Sequence, residues 1–158
     1  MSVDALSILM EKDAIFQLIR TTAARLDEEA LDGWLALFAN EARYEIKTYG
    51  PEIKADMSWW HSNRDELENI LSEVKQHVRD PGQRLHLVTP ISIEFLNERA
   101  TSLSHFSIVH TDTEGNSKIY AAGRYDDTFI KQDSKWLYEK HCVVLDTRKL
   151  EPFTHLPL

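Results

Sequence analysis

The chain has 158 residues, within the ~100–200 expected of one domain, and 42% hydrophobic with 28% charged residues and only 5 Gly and 5 Pro exclude a disordered or fibrous chain. Eighteen Lys and Arg against 26 Asp and Glu leave a formal charge of −8, which disfavours nucleic acid or an anionic membrane as partner.

Leu6, Leu9, Ile15, Leu18, Ile19, Ala23 and Leu26 recur at helical spacing and predict an amphipathic helix over 4–26. Asp27 is placed to cap a second helix whose apolar stripe is Leu31, Trp34, Leu35 and Phe38, ending near Asn40. Residues 42–49 alternate as a strand closed by Gly50-Pro51. The stretch holding Trp59, Trp60 and His61 has little pattern. Ser62 and Asp65 then suggest a capping box for a third helix, with Leu67, Ile70, Leu71, Val74 and Val78 inward and Asp80-Pro81-Gly82 as its stop.

From Arg84 the period changes to two, and 85–95, 101–110, 118–130 and 136–145 read as strands joined by short polar hairpins. Pro90 lacks a ladder donor and so predicts a bulge or an edge. These elements predict an α+β domain over 1–158, with helices covering one face of a curved antiparallel sheet and a concave pocket between them.

Cys142 is the single cysteine, so no internal disulfide holds the fold and a reducing cytoplasm is the expected setting. Residues 1–10 carry Asp4 and no basic residue, unlike a signal peptide, and no segment reaches the ~20 apolar residues of a membrane span.

No strong catalytic motif is present. The seven histidines, His61, His77, His86, His105, His110, His141 and His155, lack metal-ligand spacing, although Glu139 and His141 are expected to share a sheet face. Asp27, Tyr44, His86 and His105 form one constellation that a curved sheet could aim into a cavity. There Asp27 would orient His86 as a base and Tyr44 would polarise a carbonyl, as in a dehydratase, isomerase or cyclase. The competing reading gives Asp27 to capping, Tyr44 to packing and both histidines to structural hydrogen bonds. Trp34 and Trp136 follow the core period, one of Trp59 and Trp60 should meet a pocket or a partner, and Arg124 and Asp126 share a face. Tyr125 is a further aromatic candidate for the pocket. The apolar tail residues Phe153, Leu156 and Leu158 are expected to pack on their own sheet or on another subunit.

The segments RLDE (25–28), WLALFANEARY (34–44), RLHL (84–87), ISIE (91–94), AGRY (122–125), WLYEKHCVVLD (136–146) and the terminal LPL (156–158) together resemble the small β subunits of aromatic-ring-hydroxylating dioxygenases, the Rieske non-haem iron oxygenases. The resemblance spans nearly the whole chain. It implies a cone-shaped fold of the cystatin-like class, shared with nuclear transport factor two, scytalone dehydratase and ketosteroid isomerase. It also implies a role in aromatic-compound catabolism, with no catalytic, cofactor or metal residue on this chain. The Rieske cluster and mononuclear iron would belong to a large α subunit, in a hexamer of three α and three β subunits with β–β contacts. The same wider fold supports the alternative, a free-standing dehydratase, isomerase or cyclase using Asp27, Tyr44, His86 and His105.

Overall fold

The computed structural model describes residues 3–74, 76–77, 80–151 and 156–158. Helix α1 (Val3–Asp27) leads into a single turn, α2 (Leu31–Leu35), then strands β1 (Phe38–Gly50) and β2 (Ala55–Asn63) and helix α3 (Arg64–Val74). Four strands complete the chain: β3 (Gln83–Leu96), β4 (Arg99–Thr111), β5 (Ser117–Gln132) and β6 (Lys135–Leu145). They form one six-stranded sheet in the order β2-β1-β6-β5-β4-β3. All neighbours are antiparallel except β1 and β6, which run parallel.

Hairpin chemistry sets the registers. Asp133 and Ser134 both take positive φ, 47° and 64°, as a two-residue hairpin needs when its twist matches the strands it joins. Between β4 and β5 the Asp112 carboxylate accepts the N–H groups of Glu114 and Asn116, and Gly115 supplies φ +88°. Register shifts at Ile46/Lys47, Pro90/Ser92, Ile108/Val109 and Thr128/Phe129 bend the strands, so the sheet curls into a cone. The Pro90 shift lies on β3, an edge strand, as the missing donor requires.

The core fills the concave side. Ile15, Leu18, Ile19 and Leu26 of α1, Trp34 of α2, and Leu67, Leu71 and Val74 of α3 are buried with Tyr44, Ile108, Phe129, Tyr138 and Val143 of the sheet. Trp34 sits 4.6 Å from Phe38 and 5.3 Å from Tyr44, edge-on to the latter. Trp136 is also buried, with its indole N–H donating to Glu11 at 2.6 Å.

Several sequence expectations need correction. Asp27 caps nothing: α1 runs through it, Glu29 turns the chain at φ 52°, and Ala30 stands at the α2 N-terminus without a side-chain hydrogen bond. Helix α2 stops at Leu35, because Phe38 already pairs with Tyr138 in the sheet. The unpatterned stretch is strand β2, an edge strand exposed along most of its length, so burial imposes no alternation on it. Within it Trp59 points outward and Trp60 packs edge-on against Tyr44 at 5.4 Å.

The capping box lies one residue beyond the expected Ser62 and Asp65. Asn63 Oδ1 accepts the Glu66 N–H at 2.9 Å and Glu66 Oε2 accepts the Asn63 N–H at 2.9 Å. Asn63→Ala should therefore cost about 1 kcal/mol, read as a lower urea midpoint at unchanged slope. Val78 and Phe153 lie outside the described residues.

Candidate functional site

The cone interior carries polar groups at inward positions. At the end of α1, both Asp27 oxygens accept the His86 backbone N–H, at 3.0 and 3.2 Å, and Oδ1 also meets His86 Nδ1 at 2.5 Å. A carboxylate in that position holds the imidazole proton on Nδ1 and leaves Nε2 as an acceptor. That Nε2 is buried without a hydrogen-bond partner among the described residues. Burial pushes the His86 pKa down, with Asp27 opposing, so the ring is neutral near pH 7.

A second pair lies deeper. Register aligns Ser102, Asp127, His141, Tyr44 and Ser62 in one inward row across β4, β5, β6, β1 and β2. Asp127 Oδ1 meets His141 Nδ1 at 2.6 Å, both side chains essentially inaccessible, while Asp127 Oδ2 has no hydrogen-bond partner among the described residues. Burial drives the Asp127 pKa up against the pull of His141. Tyr44 is fully buried and its hydroxyl is held well above its ordinary pKa by desolvation, so it stays protonated.

The tail closes this interior. Leu156 and Leu158 are buried, the Leu158 N–H donates to the Tyr44 hydroxyl at 2.9 Å, and Arg84 Nη1 donates to the Pro157 carbonyl at 3.1 Å. The space left beside Leu156, among Glu29, Asp80, Arg84, His110 and Tyr120, is about 20 Å³, room for about one water. Outside it, an open depression of about 420 Å³ is walled by Asp27, Glu28, Glu29, Asp80 and Arg84. His110 Nε2 meets Asp80 Oδ2 at 2.7 Å at its edge.

Of the four candidates, Asp27 and His86 meet, Tyr44 is inward but engaged by the tail, and His105 does not join them. His105 is exposed, between inward Ser104 and Phe106, and so points away from the cone. Glu139 and His141 do not share a face either. The bulge that skips Glu139 leaves Tyr138 and His141 both inward, and Glu139 instead takes a bidentate hydrogen bond from Arg99 on the outside. Arg124 and Asp126 do form the expected surface pair, at 3.4 Å. Tyr125 faces inward and stacks on Phe106 at 4.2 Å.

Asp127, His141 and Arg84 were missed as site residues. The available signal was an acid at an inward step of the period, Tyr125-x-Asp127-x-Phe129, where an apolar residue is expected.

Among the described residues no three His, Cys, Asp or Glu side chains stand together as a metal site. Cys142 is one buried thiol, whereas a Rieske cluster needs two cysteines and two histidines. The donor set does not fit either iron centre. No described helix is long and apolar enough to cross a membrane.

A curled six-stranded sheet closed by helices over a polar-lined interior defines the cone-shaped, cystatin-like or NTF2-like α+β class. Within it, the SnoaL-like domain family matches residues 7–141, and the chain belongs to that family.

The resemblance to oxygenase β subunits is borne out by relatives. The β subunit of the methanesulfonate monooxygenase hydroxylase of Methylosulfonomonas methylovora is 29% identical, over 92% of this chain and 86% of its own length. The β subunit of the 2-aminobenzenesulfonate 2,3-dioxygenase of an Alcaligenes species is 27% identical, over 94% and 100%. Among solved structures, a Novosphingobium aromaticivorans protein described as the β subunit of an aromatic-ring-hydroxylating dioxygenase superposes with TM-score 0.85 at 16% identity, covering 96% of this chain and 99% of its own. A protein from the same organism described as a scytalone dehydratase gives TM-score 0.66 at 23% identity, over 95% and 92%.

Proposed function

We propose that this chain is the β subunit of a Rieske-type aromatic-ring-hydroxylating dioxygenase of aromatic-compound catabolism. It works as one domain in the cytoplasm and supplies shape and contact area. Cluster and iron sit on the large α subunit, in a hexamer of three α and three β subunits. The observation that carries the reading is the near full-length match to two oxygenase β subunits. The closed mouth of the cone supports it, because small-molecule sites need roughly 300–1,000 Å³ and the space beside Leu156 is about 20 Å³.

An exposed apolar row on the sheet supports the assembly part of this reading. Leu85, Val109 and Ile119 stand in register on the outer face of β3, β4 and β5, with Leu87 beside them, and Leu85, Leu87 and Ile119 are 53%, 51% and 70% exposed. Such a row is suited to being covered by another subunit. Co-expression with the large subunit should give a mixed complex by light scattering, with ring dihydroxylation only when both chains are present. Leu85→Glu with Ile119→Glu should abolish that complex while leaving the isolated chain folded. Absence of any complex with the wild-type chain sinks the reading.

The Asp27–His86 pair favours a second reading, a free-standing dehydratase, isomerase or cyclase with His86 Nε2 as base. It requires turnover of a hydroxylated or ketone-bearing ring by the isolated chain, lost in His86→Ala with the fold retained. The expected result is no turnover by either protein.

A further inference from the structure

A groove of about 340 Å³ lies between the first turns of α1 and the ends of the β3–β4 and β5–β6 hairpins. At ~1.5 Å per helical residue, Ile8 in this groove stands roughly 28 Å along α1 from Asp27 at the cone mouth, so the two sites are separate. The walls of the groove are Ile8, half exposed, and the rings of Phe95 and Trp136, whose centroids lie 5.9 Å apart.

Two carboxylates and one ammonium group stand among these walls. Glu11 accepts Lys131 Nζ and the Trp136 indole N–H, each at 2.6 Å, and these bonds, that of Lys131 foremost, hold its carboxyl below the ordinary carboxylate range. The Lys131 charge is thus already neutralised within the protein. Its ammonium lies 5.7 Å from the centre of the Trp136 ring, a distance at which the ring attracts a cation. Glu98 is the group left over. Asn97, at φ 55°, turns the chain out of β3, and the Lys131 backbone N–H donates to the Glu98 carbonyl at 2.8 Å, which pins Glu98 at the rim. Its carboxylate has no hydrogen-bond or ion-pair partner among the described residues.

The geometry points to a binding site for a small organic cation with a flat apolar body, an amidinium or aromatic ammonium compound. The body lies among Ile8, Phe95 and Trp136, and its N–H groups make charge-assisted hydrogen bonds to the Glu98 carboxylate. The volume falls within the roughly 300–1,000 Å³ of small-molecule sites, which combine apolar walls with a few placed polar groups. Anions are rejected because Glu11 and Glu98 outnumber Lys131. Neither pairing with a large subunit nor the cone interior enters this inference.

The test is titration of the full chain with p-aminobenzamidine, a flat aromatic amidinium whose emission rises on leaving water. It should bind one site with a Kd of about 1 mM or tighter. The neutral p-aminobenzamide, the anionic p-aminobenzoate and an acetylated arginine amide, which carries a like charge on a narrow stem, should each compete at least about ten-fold more weakly. Glu98→Gln removes the charge, and Ile8→Arg fills the groove with a resident cation. Both positions are exposed, so the chain stays folded by circular dichroism, and each variant should weaken binding at least about ten-fold. Glu28→Gln, at the acidic mouth of the cone, should leave binding unchanged. No saturation at millimolar p-aminobenzamidine overturns the proposal. So does equal competition by the amide or the arginine derivative, binding that survives both groove variants, or binding that Glu28→Gln removes.

Discussion

His141→Ala should destabilise the chain by about 3–5 kcal/mol, the usual cost of breaking a buried pair by removing one partner. His141 and Asp127 are 1% and 2% exposed, Asp127 Oδ1 meets His141 Nδ1 at 2.6 Å, and among the described residues Oδ2 has no hydrogen-bond partner. Without the imidazole, the carboxyl group escapes part of the penalty by keeping its proton. The pH dependence follows from that. Burial already raises the Asp127 pKa above 3.8 in the folded chain, and the variant raises it further. The folded state then binds a proton that the unfolded state releases, so stability is retained below the unfolded pKa and lost as pH rises towards the folded one. The deficit should be smaller at acid pH than at neutral pH. Asp127→Leu with His141→Phe removes both buried polar groups and fills the space, and should recover most of the loss. Urea unfolding followed by tryptophan fluorescence measures all three. A single-variant loss below about 1 kcal/mol, or a double variant as unstable as the single one, would show that the pair is not the buried, desolvated contact described.

The sequence made much of this architecture legible, for physical reasons that differ by element. Burial on one side imposes a period, and α1, α3, β4 and β5 each bury one face, so their patterns were readable. Strand β2 buries only Ser62 and parts of Met57 and Trp60, so its pattern carries no alternation. Helix α2 ends before its apolar spacing does, because Phe38 continues that spacing while its backbone is committed to pairing with β6. The parallel β1–β6 join, a contact between opposite ends of the chain, leaves no local signal at all.

The same logic governs the site. Asp27 and His86 could be brought together because one ends a helix and the other is inward on a strand of clear period. The capping role first available to Asp27 failed because the helix continues through it. His105 stands one residue away from inward Ser104 and Phe106 and so must point outward, away from the constellation expected of it. For His141 and Glu139 simple alternation fails for the opposite reason, since the bulge at Glu139 reverses the alternation between them. Leu156 and Leu158 were expected to pack, but only the fold shows that they do so inside the cone.

Gly123→Ala should prevent folding or cost at least about 3 kcal/mol, the upper end of what overpacking a core exacts. Gly123 lies in β5 between Phe106 of β4 and Leu145 of β6. A Cβ there would overlap the Val144 carbonyl oxygen and stand 3.1 Å from both the Val144 carbonyl carbon and Leu145 Cα, all of them backbone. No rotamer change relieves a clash with backbone, so β6 must move away from β5. That movement is opposed on several sides at once. The Asp146 N–H donates to the Ala122 carbonyl at 2.9 Å, Thr147 Oγ1 accepts the Ala122 N–H at 2.9 Å, and Thr48 Oγ1 donates to the Leu145 carbonyl at 2.9 Å. Gly33→Ala is the matched control, because its Cβ would meet only the flexible Arg25 side chain, at 3.2 Å, within a helix. There alanine should be neutral or stabilising by up to ~1 kcal/mol. Equal urea midpoints for the two variants would mean that β5 and β6 are not in the close backbone approach that makes glycine necessary at position 123.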